Sequence, residues 1–438
     1  MNFFDFSHSN RVVVKFSMRF LLMGLAFPLI FSSAIQFSSA VGTRRKILLD
    51  QTLSPAMSPT PAMSPSDFYC VCVCVGRGNI DLFHNVVAGK CDLFKGDWVV
   101  DPSGPVYTYV SCQWIESHTN CMKNGRPDTG YLHWRWAPQG CDLPKFDPYG
   151  FLGLMRNKSW AFIGDSIMGN QVPSLLCLLS QVENPVMVYH DKPYHSRTWN
   201  FPCHNFTVAE IWAPYLAKSA IFEDDNGVSS DYNQLHLDEL DPAWTEQYNK
   251  FDYAVISGGT WFFKGVIYYK NNTIIGCHNC PGKNITELGF DSAYRKILQL
   301  AFNFITSSEH KAYVFFRTIA PDHYEGGEWN KGGYCNRTEP FKEGGVKMND
   351  LDMIMHNIER EEFDSANALR SKNGMTLKLL DTTHLSLLRP DGHPGFYRLF
   401  HPFAKTRYPK FQIDCLHWCL PGPMDTWNDL MMEILVNG

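Results

Sequence analysis

The sequence predicts an α/β protein: a mainly parallel sheet covered by helices on both sides, preceded by a small cysteine-rich module. Three observations carry this. From residue 160 onward, short apolar runs alternate with longer segments of helical apolar spacing, and strands alternating with helices build a parallel sheet with two covered faces. Residues 91–148, by contrast, are dense in Cys, Trp, Gly and Pro and lack helical periodicity. The chain has 438 residues, 45% apolar and 14% aromatic, which supplies a large core and exceeds the size at which one core usually stops growing.

Taken in order, residues 1–19 carry Arg11, Lys15 and Arg19 and read as a cytosolic tail. Residues 20–41 hold no charge and are followed by Arg44-Arg45-Lys46. That length crosses a bilayer. It reads either as a cleaved signal peptide ending at Ser38-Ser39-Ala40 or as a retained signal-anchor transmembrane helix, and the length favours the anchor. Residues 42–87 form a stem whose Pro/Ser/Thr run at 51–66 cannot bury a core. The alternating Cys70, Cys72 and Cys74 fit a small metal cluster, an edge strand or a segment outside the mature fold, and no function rests on them. The body carries five Asn-x-Ser/Thr sequons, at Asn157, Asn205, Asn271, Asn284 and Asn336, and the chain holds 14 cysteines. Both features suit an oxidising lumen. A net charge of −5 argues against nucleic acid as a partner.

Residues 88–148 form the cysteine-rich module, a loop-rich unit stapled by disulfides. Trp114, Trp134 and Trp136 are candidates to stack on sugar rings, and packing is the stronger reading for most of its tryptophans. Residues 149–438 form the α/β domain. Its strand candidates are 160–164, 251–257, 312–317 and 377–381. Its helix candidates are 167–180, 292–307, 350–371 and a last helix from about Met424.

The stretch Trp160-Ala-Phe-Ile-Gly-Asp-Ser-Ile-Met-Gly-Asn-Gln171 organises the domain. An apolar strand breaks at Gly164-Asp165-Ser166 and a helix follows. This puts Ser166 at the C-terminal edge of the sheet, where open α/β folds keep their ligand sites. The free N–H groups of the helix start can stabilise an oxyanion. The plainer reading makes Asp165 and Ser166 helix caps. Asp-x-x-His occurs four times, at Asp5/His8, Asp81/His84, Asp381/His384 and Asp414/His417. The last two lie in the α/β domain. Asp414/His417 is preferred because Cys415 and Cys419 flank it and can fix its loop. The sets Cys277/Cys280 and Cys415/His417/Cys419 also admit zinc, but the compartment favours disulfides. Cys177, inside the helix after Ser166, reads as a buried free thiol.

Together, Gly164-Asp-Ser-Ile-x-x-Asn-Gln171, Arg317-Thr-x-x-Pro-x-His-Tyr-Glu-Gly-Gly-x-Trp-Asn330, Arg389-Pro-Asp-Gly-His-Pro-Gly395 and Asp414-Cys-Leu-His-Trp-Cys-Leu-Pro-Gly-Pro423 resemble the plant trichome birefringence-like family. The Cys/Trp module is similar to that family's N-terminal domain. The resemblance implies a single-pass type II protein of the Golgi membrane, its catalytic domain lumenal, that O-acetylates a cell-wall polysaccharide. It implies a three-layer α/β/α domain of the Gly-Asp-Ser esterase (SGNH-like) kind. By position it makes Ser166 the nucleophile, His417 the base and Asp414 its partner, which favours that pair over Asp381/His384. The acceptor expected is a hemicellulose, xyloglucan or mannan. An acetyl donor is required as a substrate, and no bound cofactor or metal is expected. Asn170 and Gly259 are candidate oxyanion donors beside the Ser166 N–H. Bridges are expected among Cys91, Cys112, Cys121, Cys141, Cys203, Cys335, Cys415 and Cys419, tying the first module to the catalytic loop. The chain departs from the family at Gly169, where Arg is usual, and at Thr260, where His is frequent. A polysaccharide acetylesterase and a non-catalytic glycan binder are the alternatives.

Overall fold

The computed structural model describes residues 91–223, 229–370, 375–404 and 413–438. The expected tail, anchor, stem and Cys70/Cys72/Cys74 lie outside the described residues. Among those described, no helix is long and apolar enough to cross a membrane.

The described residues begin with β1 (Asp92–Val100) and β2 (Trp134–Gln139), then α1 (Pro148–Leu154), β3 (Ser159–Gly164) and α2 (Ser166–Leu179). Five strands follow: β4 (Val186–His190), β5 (Arg197–Phe201), β6 (Phe206–Trp212), β7 (Ala217–Ala220) and β8 (Asn233–Leu240). After α3 (Pro242–Thr245) come β9 (Tyr253–Ile256), β10 (Val266–Lys270), β11 (Thr273–His278), α4 (Phe290–Ser307) and β12 (Tyr313–Arg317). The chain closes with α5 (Asp350–Arg370), β13 (Thr376–Leu380), α6 (Thr383–Leu387) and α7 (Pro423–Asn437).

The central sheet has seven strands in the order β13-β12-β9-β3-β6-β5-β4. Its first five run parallel, and β5 and β4 add an antiparallel edge. Side chains on a strand alternate between faces, and the two apolar cores follow that alternation. Trp160, Phe162, Val255 and Phe315 pack with α1, α2 and α7 on one face. Ala161, Ile163, Ala254, Ile256, Val314 and Phe316 pack with α4 and α5 on the other. The domain is therefore a three-layer α/β/α fold. A second sheet, β11-β10-β8-β7, flanks the α4 side, and the sequence pattern gave no sign of it.

The first module is less irregular than expected. β1 and β2 pair antiparallel with Trp98 opposite Trp136, and both tryptophans join the core of the α2–α7 face. Trp136 is fully buried, and its indole N–H donates to the Leu93 carbonyl. Trp114 stands edge-on to Trp199 and packs against the same core. These tryptophans are packing residues.

The bridges are Cys91–Cys141, Cys112–Cys177, Cys121–Cys419, Cys277–Cys280 and Cys335–Cys415, and Cys203 is also disulfide-bonded. One correction follows. Cys177 is no free thiol: it fastens α2 to the first module. Cys277 and Cys280 close on each other, which leaves neither thiolate to bind zinc.

Candidate active site

Ser166 is the first residue of α2, at the C-terminal end of β3. The turn is tight because Gly164 passes close to β9: a Cβ there would meet the Ser257 carbonyl oxygen at 2.5 Å. Asp165 caps the helix, its Oδ1 accepting from the Ile167 N–H at 3.0 Å. Capping thus falls to Asp165, and Ser166 sits one residue inside, partly exposed at the sheet edge.

Asp414 and His417 lie in the loop before α7. Asp414 Oδ1 accepts the backbone N–H of His417 at 3.0 Å, so the carboxylate folds its own loop. His417 Nδ1 donates to Asp414 at 3.0 Å from Oδ2 and 3.2 Å from Oδ1. The other ring nitrogen, Nε2, is therefore the acceptor, and it is buried with no hydrogen-bond partner. Burial works against a charged His417 ring, but the charge and hydrogen bond of Asp414 overcome it and raise its basicity. Burial likewise opposes charge on Asp414, yet His417 and the Arg398 guanidinium, 3.9 Å away, hold it far below the usual carboxylate range.

The loop is fixed from several sides. Disulfides hold Cys415 to Cys335 and Cys419 to Cys121. Gly395 and Asp414 exchange both backbone hydrogen bonds. Asn170, one turn along α2 from Ser166, accepts from the Trp418 N–H at 2.6 Å and donates to the Trp418 carbonyl at 3.2 Å. Its amide thus holds the loop that carries His417. Asp165 is also close enough to raise the basicity of His417. Gly259 ends β9's loop at φ +147°, a conformation suited to glycine. Its neighbour Thr260 approaches Asp165 Oδ2 at 3.4 Å.

The competing pair does not form. Asp381 binds His356 and Arg360 at 2.9 and 2.7 Å, while His384 contacts Glu343. At Gly169 a Cβ would meet Glu210 Oε1 at 2.8 Å. Glu210 is buried and bound by Arg197 of β5 through Nε and Nη2 at 2.8 and 2.7 Å. A guanidinium therefore still stands beside this turn of α2, delivered from the sheet.

The sequence reading missed His118. It comes from the first module and meets the His417 ring edge-on at 5.5 Å. Burial lowers its basicity, and the charge of His417 adds to that. Nothing in its local sequence marks it, since only tertiary packing brings residue 118 to residue 417. All five sequon asparagines are exposed.

Residues 143–434 match the PC-Esterase family, described as a GDSL/SGNH-like acyl-esterase family found in Pmr5 and Cas1p. Residues 89–142 match the PMR5 N-terminal domain. The chain is 48% identical to trichome birefringence-like 25 of Arabidopsis thaliana, over 99% of this chain and 95% of that protein. It is 42% identical to xyloglucan O-acetyltransferase 1 of the same plant, over 79% of this chain and 80% of that protein. The enzyme of that name from Populus trichocarpa is 41% identical, over 79% and 81%.

Proposed function

The chain belongs to the PC-Esterase family and is a trichome birefringence-like protein, and from that premise we propose that it transfers acetyl groups to a cell-wall polysaccharide through an acetyl-Ser166 intermediate. The observation that carries the reading is His417: Nδ1 bound to an ionised Asp414, Nε2 buried and unpartnered, on a loop tied to the helix that Ser166 begins. This is the arrangement of a general base for a serine hydroxyl.

In the reaction, His417 Nε2 takes the Ser166 proton as Oγ bonds to the acetyl carbonyl carbon. The oxyanion is held by the Ser166 N–H at the start of α2, with the Gly259 N–H as the second donor. The tetrahedral species collapses, the bond to the donor's leaving group breaks, and His417 returns the proton to that group. A sugar hydroxyl then gives its proton to His417 and attacks the acetyl-serine. The new ester forms, and Ser166 leaves with the proton from His417. Among hemicelluloses we favour xyloglucan over mannan, because two relatives carry xyloglucan in their names. Five exposed sequons and the disulfides support a lumenal body, and we assign the protein to the Golgi membrane through residues 20–41.

The test is incubation of the full-length protein with a labelled acetyl donor, with and without xyloglucan or mannan oligosaccharides, followed by mass spectrometry. Acetylated oligosaccharide with transient label on Ser166 is the expected result, and Ser166→Ala should lower turnover by about 10³-fold or more. Free acetate alone would mean an esterase. Turnover surviving in Ser166→Ala would remove the triad assignment.

A further inference from the structure

Two histidines, His393 buried and His323 half-buried, stand directly behind the His417 loop. His393 Nδ1 lies 2.7 Å from the carbonyl oxygen of His417. His393 Nε2 lies 2.7 Å from His323 Nδ1. His323 Nε2 lies 2.9 Å from the carbonyl oxygen of Leu387. A carbonyl oxygen only accepts, so both end contacts require an N–H on the ring. The central N···N contact requires a third. A neutral imidazole carries one N–H, so two neutral rings carry two. Three contacts are complete only with three ring protons, which is a net charge of +1 on the pair.

We infer that His323 and His393 share one extra proton, and that this singly charged pair grips the carbonyl of His417 and positions its imidazole. The grip is reinforced around it. The His393 ring stacks on Trp418 with centroids 4.1 Å apart, and the Gly392 carbonyl accepts the Cys419 N–H at 2.8 Å. Asp391 and Glu325 attract a proton on His323, and Asp414 attracts one on His393, whereas Arg337 and Arg126 oppose. Burial pushes both rings down, that of His323 to about 4, and a charge on His323 further opposes one on His393. A doubly charged pair is thereby excluded. Against that burial, all three hydrogen bonds favour the first proton on the pair, and the pair titrates as one unit. When the proton leaves, one of the three contacts must open.

The role in catalysis rests on His417 being the base; the shared proton does not, so the experiment reads both separately. Full-length protein labelled with ¹⁵N in its histidine rings is titrated by NMR from about pH 3.5 to 8, while amide exchange over 413–419 is followed and corrected for intrinsic rate. His323→Gln and His393→Gln assign the resonances. The expected result is three protonated ring nitrogens in the pair at acid pH, reduced to two as pH rises, with exchange in 413–419 accelerating several-fold over the same range. Each variant should abolish that pH dependence and lower kcat with little change in KM, while exchange in β3 stays unchanged. Two neutral rings throughout, beside a loop that stays protected, would overturn the inference. If a variant fails to fold, the wild-type titration decides alone. If the pair titrates as stated but no acetyl transfer occurs at any pH, the functional reading fails and the pair stands.

Discussion

Asn170 holds Trp418 by both backbone groups, its Oδ1 on the N–H at 2.6 Å and its Nδ2 on the carbonyl at 3.2 Å. One buried amide thus couples the helix that begins with Ser166 to the loop that carries His417, across 248 residues of sequence. Asn170→Ala leaves a buried N–H and a buried C=O without partners, each costing about 1–3 kcal/mol. It should lower the melting temperature and lower kcat more than it raises KM, because substrate binding surfaces stay while the nucleophile–base register loosens. Unchanged kcat in a folded Asn170→Ala protein would show that the disulfides alone set this register.

Asp414 raises the basicity of His417 against the pull of burial. A base must be unprotonated to act, so kcat/KM should rise with pH and level off above the ordinary histidine value of about 6.5. Asp414→Asn removes the charge that favours imidazolium, so the inflection should move to lower pH. The plateau should fall by about 10³-fold or more, since the tautomer is no longer enforced. A pH–rate series on both proteins reads the two effects, and an inflection that moves upward contradicts the assignment.

How much of this was legible depends on how locally each feature is encoded. α2, α4 and α7 carry apolar residues at helical spacing, and Tyr294, Ile297, Leu298, Ala301 and Ile305 are all buried as that spacing requires. β3, β9 and β12 lie within apolar runs because both their faces are covered, whereas β13, at the sheet edge, includes Lys378 and is only partly buried. The antiparallel strands were not legible. β4 carries a short apolar run, Val186-Met187-Val188-Tyr189, but as an edge strand it leaves Val186, Val188 and Tyr189 exposed, so neither alternation nor burial marks it as part of the sheet. Cys177 read as a thiol because a buried helical cysteine resembles any small apolar residue, and its partner lies 65 residues away. His118 is a lone histidine in sequence, and His323 and His393 stand in motifs that do not by themselves give a role. Their roles exist only where the first module, the loop after β12 and the Arg389–Gly395 loop converge on 413–419.

The Gly169 departure need not remove the cation from this region, because Arg197 already binds Glu210, the carboxylate that faces Gly169. Gly169→Arg would bring a second guanidinium to an occupied carboxylate and force a Cβ into a 2.8 Å approach to Glu210 Oε1. It should therefore leave activity unchanged or reduce it, whereas Arg197→Met should reduce it by leaving Glu210 buried and unpaired, a loss of about 3–5 kcal/mol. Comparing acetyl transfer and melting temperature of the two variants decides the matter. A several-fold gain in Gly169→Arg would mean that Arg197 does not substitute for a cation on α2.

Stability should be greatest in mild acid. Burial raises Asp425 to about 6, Asp352 and Asp429 to about 7, and Glu359 to about 8. Each binds a proton more tightly folded than unfolded, so its contribution is complete below the unfolded value near 4 and is lost as pH rises through the folded value. The slope is about 1.4 kcal/mol per group for each pH unit between the two values. Other groups run the other way, Asp252 and the lowered His118, His323 and His393 among them. Asp101 is lowered to about 2, Asp381 is lowered by His356 and Arg360, and Asp414 is lowered by His417. In these three carboxylates, burial works against the shift. Their contributions are present above about pH 4 and vanish below it. The melting temperature should therefore peak between about pH 4 and 6 and fall toward pH 8. Glu359 accepts the Ile319 N–H on both oxygens and the Tyr294 hydroxyl at 2.7 Å, so Glu359→Gln keeps an uncharged acceptor there. It should flatten the decline between pH 6 and 8 without moving the acid limb. Thermal unfolding of both proteins at unit pH steps measures this, and a melting temperature that climbs from pH 5 to 8 would show that these acids are ionised in the fold.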